Sequence, residues 1–155
     1  MSEGGRRLVD CFAPAQIRLD LAATTKADAI AELLAAFELS PRDHSATMRA
    51  ILRREAMGST AIGRGIAVPH ARTPLVSQLR VAFGRSVRGI PFGTNDDDIL
   101  VHHVFLFLAP PVDVSNEYLP MLGQVARLGT ESDTAERLAG VTTVAEFLAV
   151  LDEVR

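Results

Sequence analysis

Two periodicities alternate along the chain. Ile17 to Leu21 switches between apolar and polar residues at each step, which predicts a short strand. Thr25-Lys-Ala-Asp28 resembles a capping box, with Asp in the place of the usual Glu or Gln. A helix from Ala29 to Phe37 is expected behind it, since Ile30, Leu33, Leu34 and Phe37 recur at i, i+3, i+4 and i+7. Ser40-Pro41-Arg42-Asp43 punctuates, and Ser45 to Glu55 reads as a second helix ending before Gly58. Arg80 to Val87 alternates as a strand, and Gly89 to Asp98 is a turn-rich connection. Ile99 to Leu108, ILVHHVFLFL, is the strongest strand and too continuous to face water on one side, so a central place in the sheet is expected. Pro110-Pro111 stops it. From about Asn116 to Leu128 the pattern is helical, with Leu119, Leu122, Val125, Ala126 and Gly129 along one face. Ser132 is expected to cap a short helix to Leu138. Thr143-Val-Ala-Glu146 is a full capping box opening a last helix, with Phe147, Leu148 and Leu151 inward. Strands mixed among helices predict a layered α/β domain, while the pattern leaves the strand order open.

Composition narrows the class. The 155 residues suit one domain, 1–155, with a real core and no need of staples. No apolar run approaches the ~18 residues of a membrane span, and the N-terminus lacks the apolar segment of a signal peptide. Cys11 is the only cysteine, which excludes an intrachain disulfide and fits a cytoplasmic protein without direct membrane insertion. The formal net charge of -3 argues against nucleic acid as the main partner. Lys26 is the only lysine, and arginine supplies the rest of the basic charge. A local arginine cluster suits a single phosphate, because the guanidinium fork matches its oxygens.

The chemistry gathers in GSTAIGRGIAVPHAR, Gly58 to Arg72. Ile66, Ala67 and Val68 form a short apolar strand. Pro69 donates no backbone hydrogen bond and biases Val68 towards extended geometry, so the strand is expected to end there with His70 at its edge. Glycines 58, 63 and 65 allow tight turns, Ser59 and Thr60 carry hydroxyls, and Arg54, Arg64 and Arg72 bring positive charge nearby in sequence. A neutral imidazole is a nucleophile, and a phosphohistidine needs hydroxyls, backbone N–H groups and arginine around its oxygens. On these residues alone, a structural histidine at a strand end fits as well, and so does a plain glycine-rich turn. The four histidines, His44, His70, His102 and His103, show no metal-ligand spacing; no metal and no cofactor are expected. Asp96-Asp97-Asp98 reads as a solvated acidic turn.

Arg53 to Arg72, RREAMGSTAIGRGIAVPHAR, resembles the active-site segment of the fructose/mannitol-type (type 2) enzyme IIA domains of the bacterial phosphotransferase system, a group that includes the nitrogen-regulatory enzyme IIA proteins. The pattern R-E-x-x-x-S-T-x-I-G-x-G-I/V-A-I/V-P-H is matched without a gap by Arg54, Glu55, Ser59, Thr60, Ile62, Gly63, Gly65, Ile66, Ala67, Val68, Pro69 and His70. QIRLDLAATTKADAIAELLAAF resembles the family's first strand and helix, ILVHHVFLFLAPP its central strand, and YLPMLGQVARL the helix that follows. The resemblance implies a mixed β-sheet flanked by helices on both faces. It also implies that His70 accepts a phosphoryl group at Nε2 from the histidine-containing phosphocarrier protein. The group would pass to a cysteine of an enzyme IIB, or its presence would be reported to regulatory targets. Arg54, Ser59, Thr60 and Gly63 would hold or support it.

Two positions depart from the family. Tyr118 stands where many members carry a second active-site histidine; a phenol still donates a hydrogen bond to a phosphoryl oxygen, yet supplies no cation near neutral pH. Pro120 follows inside the same segment, where it removes a helix donor unless the helix begins there. Ala61 stands where glycine is common and would be strained if φ were positive. His102 or His103 is a candidate substitute for the missing histidine, against a hydrogen-bonded structural role. These departures motivate an alternative, a binding module that keeps the fold and has lost efficient transfer. A hydrolase using His70 as general base ranks below both, for want of a nucleophile elbow or a metal.

Overall fold

The computed structural model describes residues 6–93, 100–114 and 116–153. Six strands form one mixed sheet: β1 (Ile17–Arg18), β2 (Ala61–Gly63), β3 (Ile66–Ala67), β4 (His70–Arg72), β5 (Arg80–Pro91) and β6 (Leu100–Ala109). The order is β1-β5-β6-β3-β2, with β4 also on β6. β6 runs antiparallel to β5 and parallel to β3 and β4, so the most apolar strand has a neighbour on each side, as its composition predicts. Five helices cover the sheet: α1 (Lys26–Ala35), α2 (Pro41–Ala56), α3 (Tyr118–Thr130), α4 (Ser132–Gly140) and α5 (Val144–Asp152).

Side chains alternate along a strand, and here both faces are apolar. Val81, Phe83, Phe105 and Phe107 pack with Met121, Val125, Leu128, Leu138, Phe147 and Leu151 of α3, α4 and α5. Ala82, Val104, Leu106 and Leu108 pack with Ile30, Leu33, Leu34 and Ile51 of α1 and α2. Helices on both faces are what a continuous apolar strand requires.

Several expected boundaries move, each for a local reason. The first strand is only Ile17–Arg18, although the Leu21 amide still donates to the Arg85 carbonyl. Helix α2 starts at Pro41 and not at Ser45: Ser40 is its N-cap, accepting from the Asp43 amide at 3.1 Å, and proline suits the first helical position. Strand β5 runs past Val87 to Pro91 through an irregularity between Arg85 and Ile90. Helix α3 is rotated from the expected face. Tyr118, Met121, Val125 and Leu128 point inward at spacings of three and four, while Leu119 is 62% exposed. Pro120 lies in the first turn, where no intrahelical donor is needed. Glu131 and not Ser132 occupies the N-cap position of α4. Ala61 has no positive φ, so no strain falls on it. Asp96, Asp97 and Asp98 lie outside the described residues.

Pro69 does not end the strand as expected; it interrupts it. Ile66 faces His103 and His70 faces Phe107, the same offset, so β3 and β4 are one line along β6 broken at Val68-Pro69. His70 is therefore the first residue of the resumed strand. His103 lies four residues up β6 from Phe107, about 13 Å away at strand rise, so neither it nor its neighbour substitutes for a second histidine beside His70. His102 Nδ1 is 2.9 Å from the Ser86 carbonyl. His103 is 7% exposed and stacks on Phe83 with ring centroids 5.9 Å apart.

Burial, with help from His102 and Arg85, pushes the His103 pKa down to about 4. As pH falls below the ordinary value near 6.5, the unfolded chain takes up a proton that the folded chain refuses. Stability present above pH 6.5 is thus lost progressively down to about pH 4, by on the order of 3 kcal/mol. Urea unfolding at a series of pH values should show this loss, and His103→Leu should flatten the slope in that window; an unchanged slope would show that His103 is not its source.

Candidate functional site

The local fold around His70 follows from Pro69. Pro69 has no amide to bond, yet its carbonyl accepts from the Phe107 amide at 2.9 Å, which holds the chain in register up to His70. His70 Nδ1 lies 3.1 Å from the Val68 carbonyl oxygen. A carbonyl only accepts, so Nδ1 carries the hydrogen and Nε2 keeps its lone pair. The Tyr118 Oη is 3.2 Å from the same Nδ1, with the two ring centroids 4.9 Å apart. Phe107, facing His70 across the sheet, meets the Tyr118 ring edge-on at 5.4 Å and fixes it. Tyr118 is the first residue of α3, so the N-terminal end of that helix adjoins the imidazole, where its dipole favours an anion.

Two arginines supply the field. Arg54, in the last turn of α2, donates from Nη1 to the Gly58 carbonyl at 2.7 Å. Arg72, two residues beyond His70, donates to the Pro110 carbonyl at 2.8 Å and to Asn116 Oδ1 at 3.1 Å. Burial lowers the His70 pKa; the Val68 hydrogen bond opposes that, Arg54 and Arg72 add to it, and Glu55 opposes. The imidazole is neutral at neutral pH and is half-buried, so its free nitrogen can be reached. Burial raises the Tyr118 pKa, which keeps the phenol protonated. Arg64 does not join this field; it is exposed at a turn before β3 and lines a different cleft.

The loop from Gly58 to Gly63 is held from beneath. Glu55 is 3% exposed and accepts from the Thr60 amide at 3.3 Å, from the Thr60 hydroxyl, and from Lys26 Nζ at 3.1 Å. Lys26 itself lies over the Phe92 ring. The Thr60 hydroxyl is thus spent on Glu55, and Thr60 acts on the loop's position. The Ser59 Oγ accepts from the Ala61 amide at 3.1 Å, and Gly63 supplies a positive φ of 101°. The sequence singles out Arg54, Ser59, Thr60, Gly63, His70 and Tyr118; the structure puts Tyr118 against His70 and Arg54 in its field, and Ser59, Thr60 and Gly63 in the loop after α2. Sequence reasoning missed the Val68 carbonyl and the Lys26–Glu55 pair; the lone lysine opening a helix was the available signal for the second. Met57, Ile62, Leu75, Val112, Val114 and Leu119 are exposed, and each lies on a segment near one of these residues in sequence. Among the described residues no helix is long and apolar enough to cross a membrane.

The comparisons agree with the motif. The family described as "Phosphoenolpyruvate-dependent sugar phosphotransferase system, EIIA 2" matches residues 10–154. A nitrogen regulatory protein of Bradyrhizobium diazoefficiens is 34% identical over 145 residues, 93% of this chain and 94% of that protein. The crystal structure of nitrogen regulatory protein IIA-Ntr from Neisseria meningitidis superposes with a TM-score of 0.75 at 26% identity, covering 93% of this chain and 98% of that one. Enzyme IIAMtl from Escherichia coli, solved in complex with phosphorylated enzyme IIBMtl, superposes with a TM-score of 0.71 at 27% identity over 91% and 98% of the two chains.

The pair under the loop makes a testable unit. Glu55→Gln leaves Lys26 without its anion and weakens both Thr60 bonds, and should cost about 3 kcal/mol. Adding Lys26→Met should recover part of that loss, since removing both charges is far milder than removing one. Urea unfolding of the two single variants and the double closes the cycle; additive losses would mean that the pair is not coupled.

Proposed function

Since the chain belongs to the type-2 EIIA family of the phosphoenolpyruvate-dependent sugar phosphotransferase system, and so to its phosphotransfer carriers, we propose that His70 Nε2 is the atom that carries the phosphoryl group. The observation that supports this most is the Nδ1 contact with the Val68 carbonyl, which leaves Nε2 as the nucleophilic nitrogen. The donor is the phosphorylated histidine-containing phosphocarrier protein. The Nε2 lone pair attacks phosphorus, the new N–P bond forms, and the donor's N–P bond breaks with its electron pair returning to the donor imidazole. The low pKa of His70 keeps the acceptor neutral before attack. Arg54 and Arg72 face the charge that arrives, already oriented by the carbonyls of Gly58 and Pro110. Tyr118 accepts from Nδ1–H and keeps its own O–H for a phosphoryl oxygen. Ser59, Thr60 and Gly63 shape the loop on the Arg54 side. Exposed apolar residues such as Met57, Ile62 and Leu119, on segments next in sequence to these residues, suit docking of a protein donor and a protein acceptor.

The receiver is the cysteine of an enzyme IIB, or a regulatory target that reads the phosphorylation state. Residues 1–155 act as one such domain in the cytoplasm. Sugar transport and nitrogen regulation share this chemistry, and the genomic neighbourhood separates them.

Incubation with phosphoenolpyruvate, enzyme I and the cognate phosphocarrier should place one acid-labile, alkali-stable phosphate on the protein, and His70→Ala should carry none. Arg54→Gln should slow acceptance at least tenfold, and Tyr118→Phe by less than tenfold, since Val68 alone holds the tautomer. No label from a carrier shown to be phosphorylated would sink the transfer reading and leave a binding module of the same fold.

A further inference from the structure

A second cleft, of about 380 Å³, lies against the β5–β6 ladder and α4. Arg64, Arg85, His102, His103 and Glu136 line it together with Ser86 and Val87. It belongs to the other end of β6 from His70: His103 is opposite Ile66, whereas His70 is opposite Phe107.

We propose that this cleft binds a small oxyanion, a phosphate or the carboxylate of a small molecule. Arg85 is 9% exposed, and its guanidinium donates to the carbonyls of Leu19 at 3.0 Å, Leu138 at 3.1 Å and Val141 at 2.6 Å. These are neutral acceptors at the C-terminal end of α4 and in the loop after β1. Among the described residues no carboxylate pairs with this buried cation. Directly across the ladder, His103 Nε2 is closed from solvent and has no hydrogen-bond partner. Arg64 likewise has no ion pair or hydrogen bond among the described residues, and its φ of 58° is in the left-handed region between Gly63 and Gly65. The Gly65 carbonyl accepts from the His102 and His103 amides at 2.8 and 2.9 Å, which pins that turn beside the two histidines. Two guanidinium groups without a carboxylate partner and one unpaired buried imidazole thus line one cleft, and among the described residues the one acid lining it, Glu136, is exposed. An oxyanion would accept from the guanidinium groups and from His103 in its Nε2–H tautomer, and would neutralise the cations. The volume is at the lower end of small-molecule sites, which fits a ligand of a few heavy atoms.

The test is an NMR titration of the full chain, labelled for backbone amides and histidine rings. The probes are sodium phosphate and, separately, sodium propionate, each against sodium chloride at matched ionic strength. Saturable shifts at the His103 ring and the Gly65 amide with at least one probe are expected. The His103 titration midpoint should rise by at least half a pH unit in the bound state. Arg64→Gly, which suits the positive φ and preserves the fold, should weaken binding at least fivefold. Shifts that never saturate with either probe, or saturation that Arg64→Gly leaves unchanged, would overturn the site. Shifts confined to His70 and insensitive to Arg64→Gly would assign the anion to the first site and equally refute the second.

Discussion

Pro69 has no N–H to give to β6, and the consequences reach the whole site. Pairing survives the missing amide: the Pro69 carbonyl still accepts from the Phe107 amide at 2.9 Å, while Val68, facing away from β6, donates its amide to the Thr60 carbonyl at 3.1 Å. The Val68 carbonyl accepts from His70 Nδ1, and the unchanged offset on both sides of Pro69 keeps His70 opposite Phe107. A rigid central strand therefore presents an imidazole whose tautomer is set by its own backbone two residues earlier. His70 is paired with β6, and Val68 is flanked by residues bonded to it, Ala67 and Pro69.

The charges are arranged by the same economy. Arg54 ends α2 and Arg72 ends β4, so two elements from different parts of the chain aim cations at one ring. Each is anchored to a backbone carbonyl and is in place before an anion arrives. The loop between them depends on Glu55, whose burial is tolerable only because Lys26 and Thr60 satisfy it. Helix α1 thereby reaches the loop through Lys26.

Much of this was legible in the sequence, and the failures have physical causes. Strand β6 and helices α1 and α5 were found because apolar period and capping chemistry agreed there. Helix α2 was started late because Ser-Pro reads equally as a turn and as an N-cap followed by proline at the first helical position. The face of α3 was misjudged because Tyr118 points inward to His70 and Phe107, which rotates Leu119 outward; a polar-tipped aromatic gives no sign in a periodicity count. The interruption at Pro69 was read as an ending, since a sequence does not reveal whether a broken strand regains its register. His70 and Arg54 were legible from the motif, whereas the Val68 carbonyl carries no side-chain signal at all. Arg64 was grouped with the active-site cations by proximity in sequence, and the turn at Gly63–Gly65 sends it elsewhere.

Tyr118 stands where the family resemblance implies a second histidine, and the geometry shows what a phenol does in that place. Holding Nδ1–H requires only an acceptor, and the Val68 carbonyl already provides one. A phenol adds a second acceptor and an O–H, but never a proton-dependent charge, since burial raises its pKa further from neutrality. A histidine there would make the field on His70 vary with pH across the range in which the imidazole itself titrates. With tyrosine, the positive field comes from Arg54 and Arg72, which stay charged throughout. Burial and these two permanent cations hold the His70 pKa down, against the Val68 hydrogen bond and Glu55, and Tyr118 adds no charge to that balance.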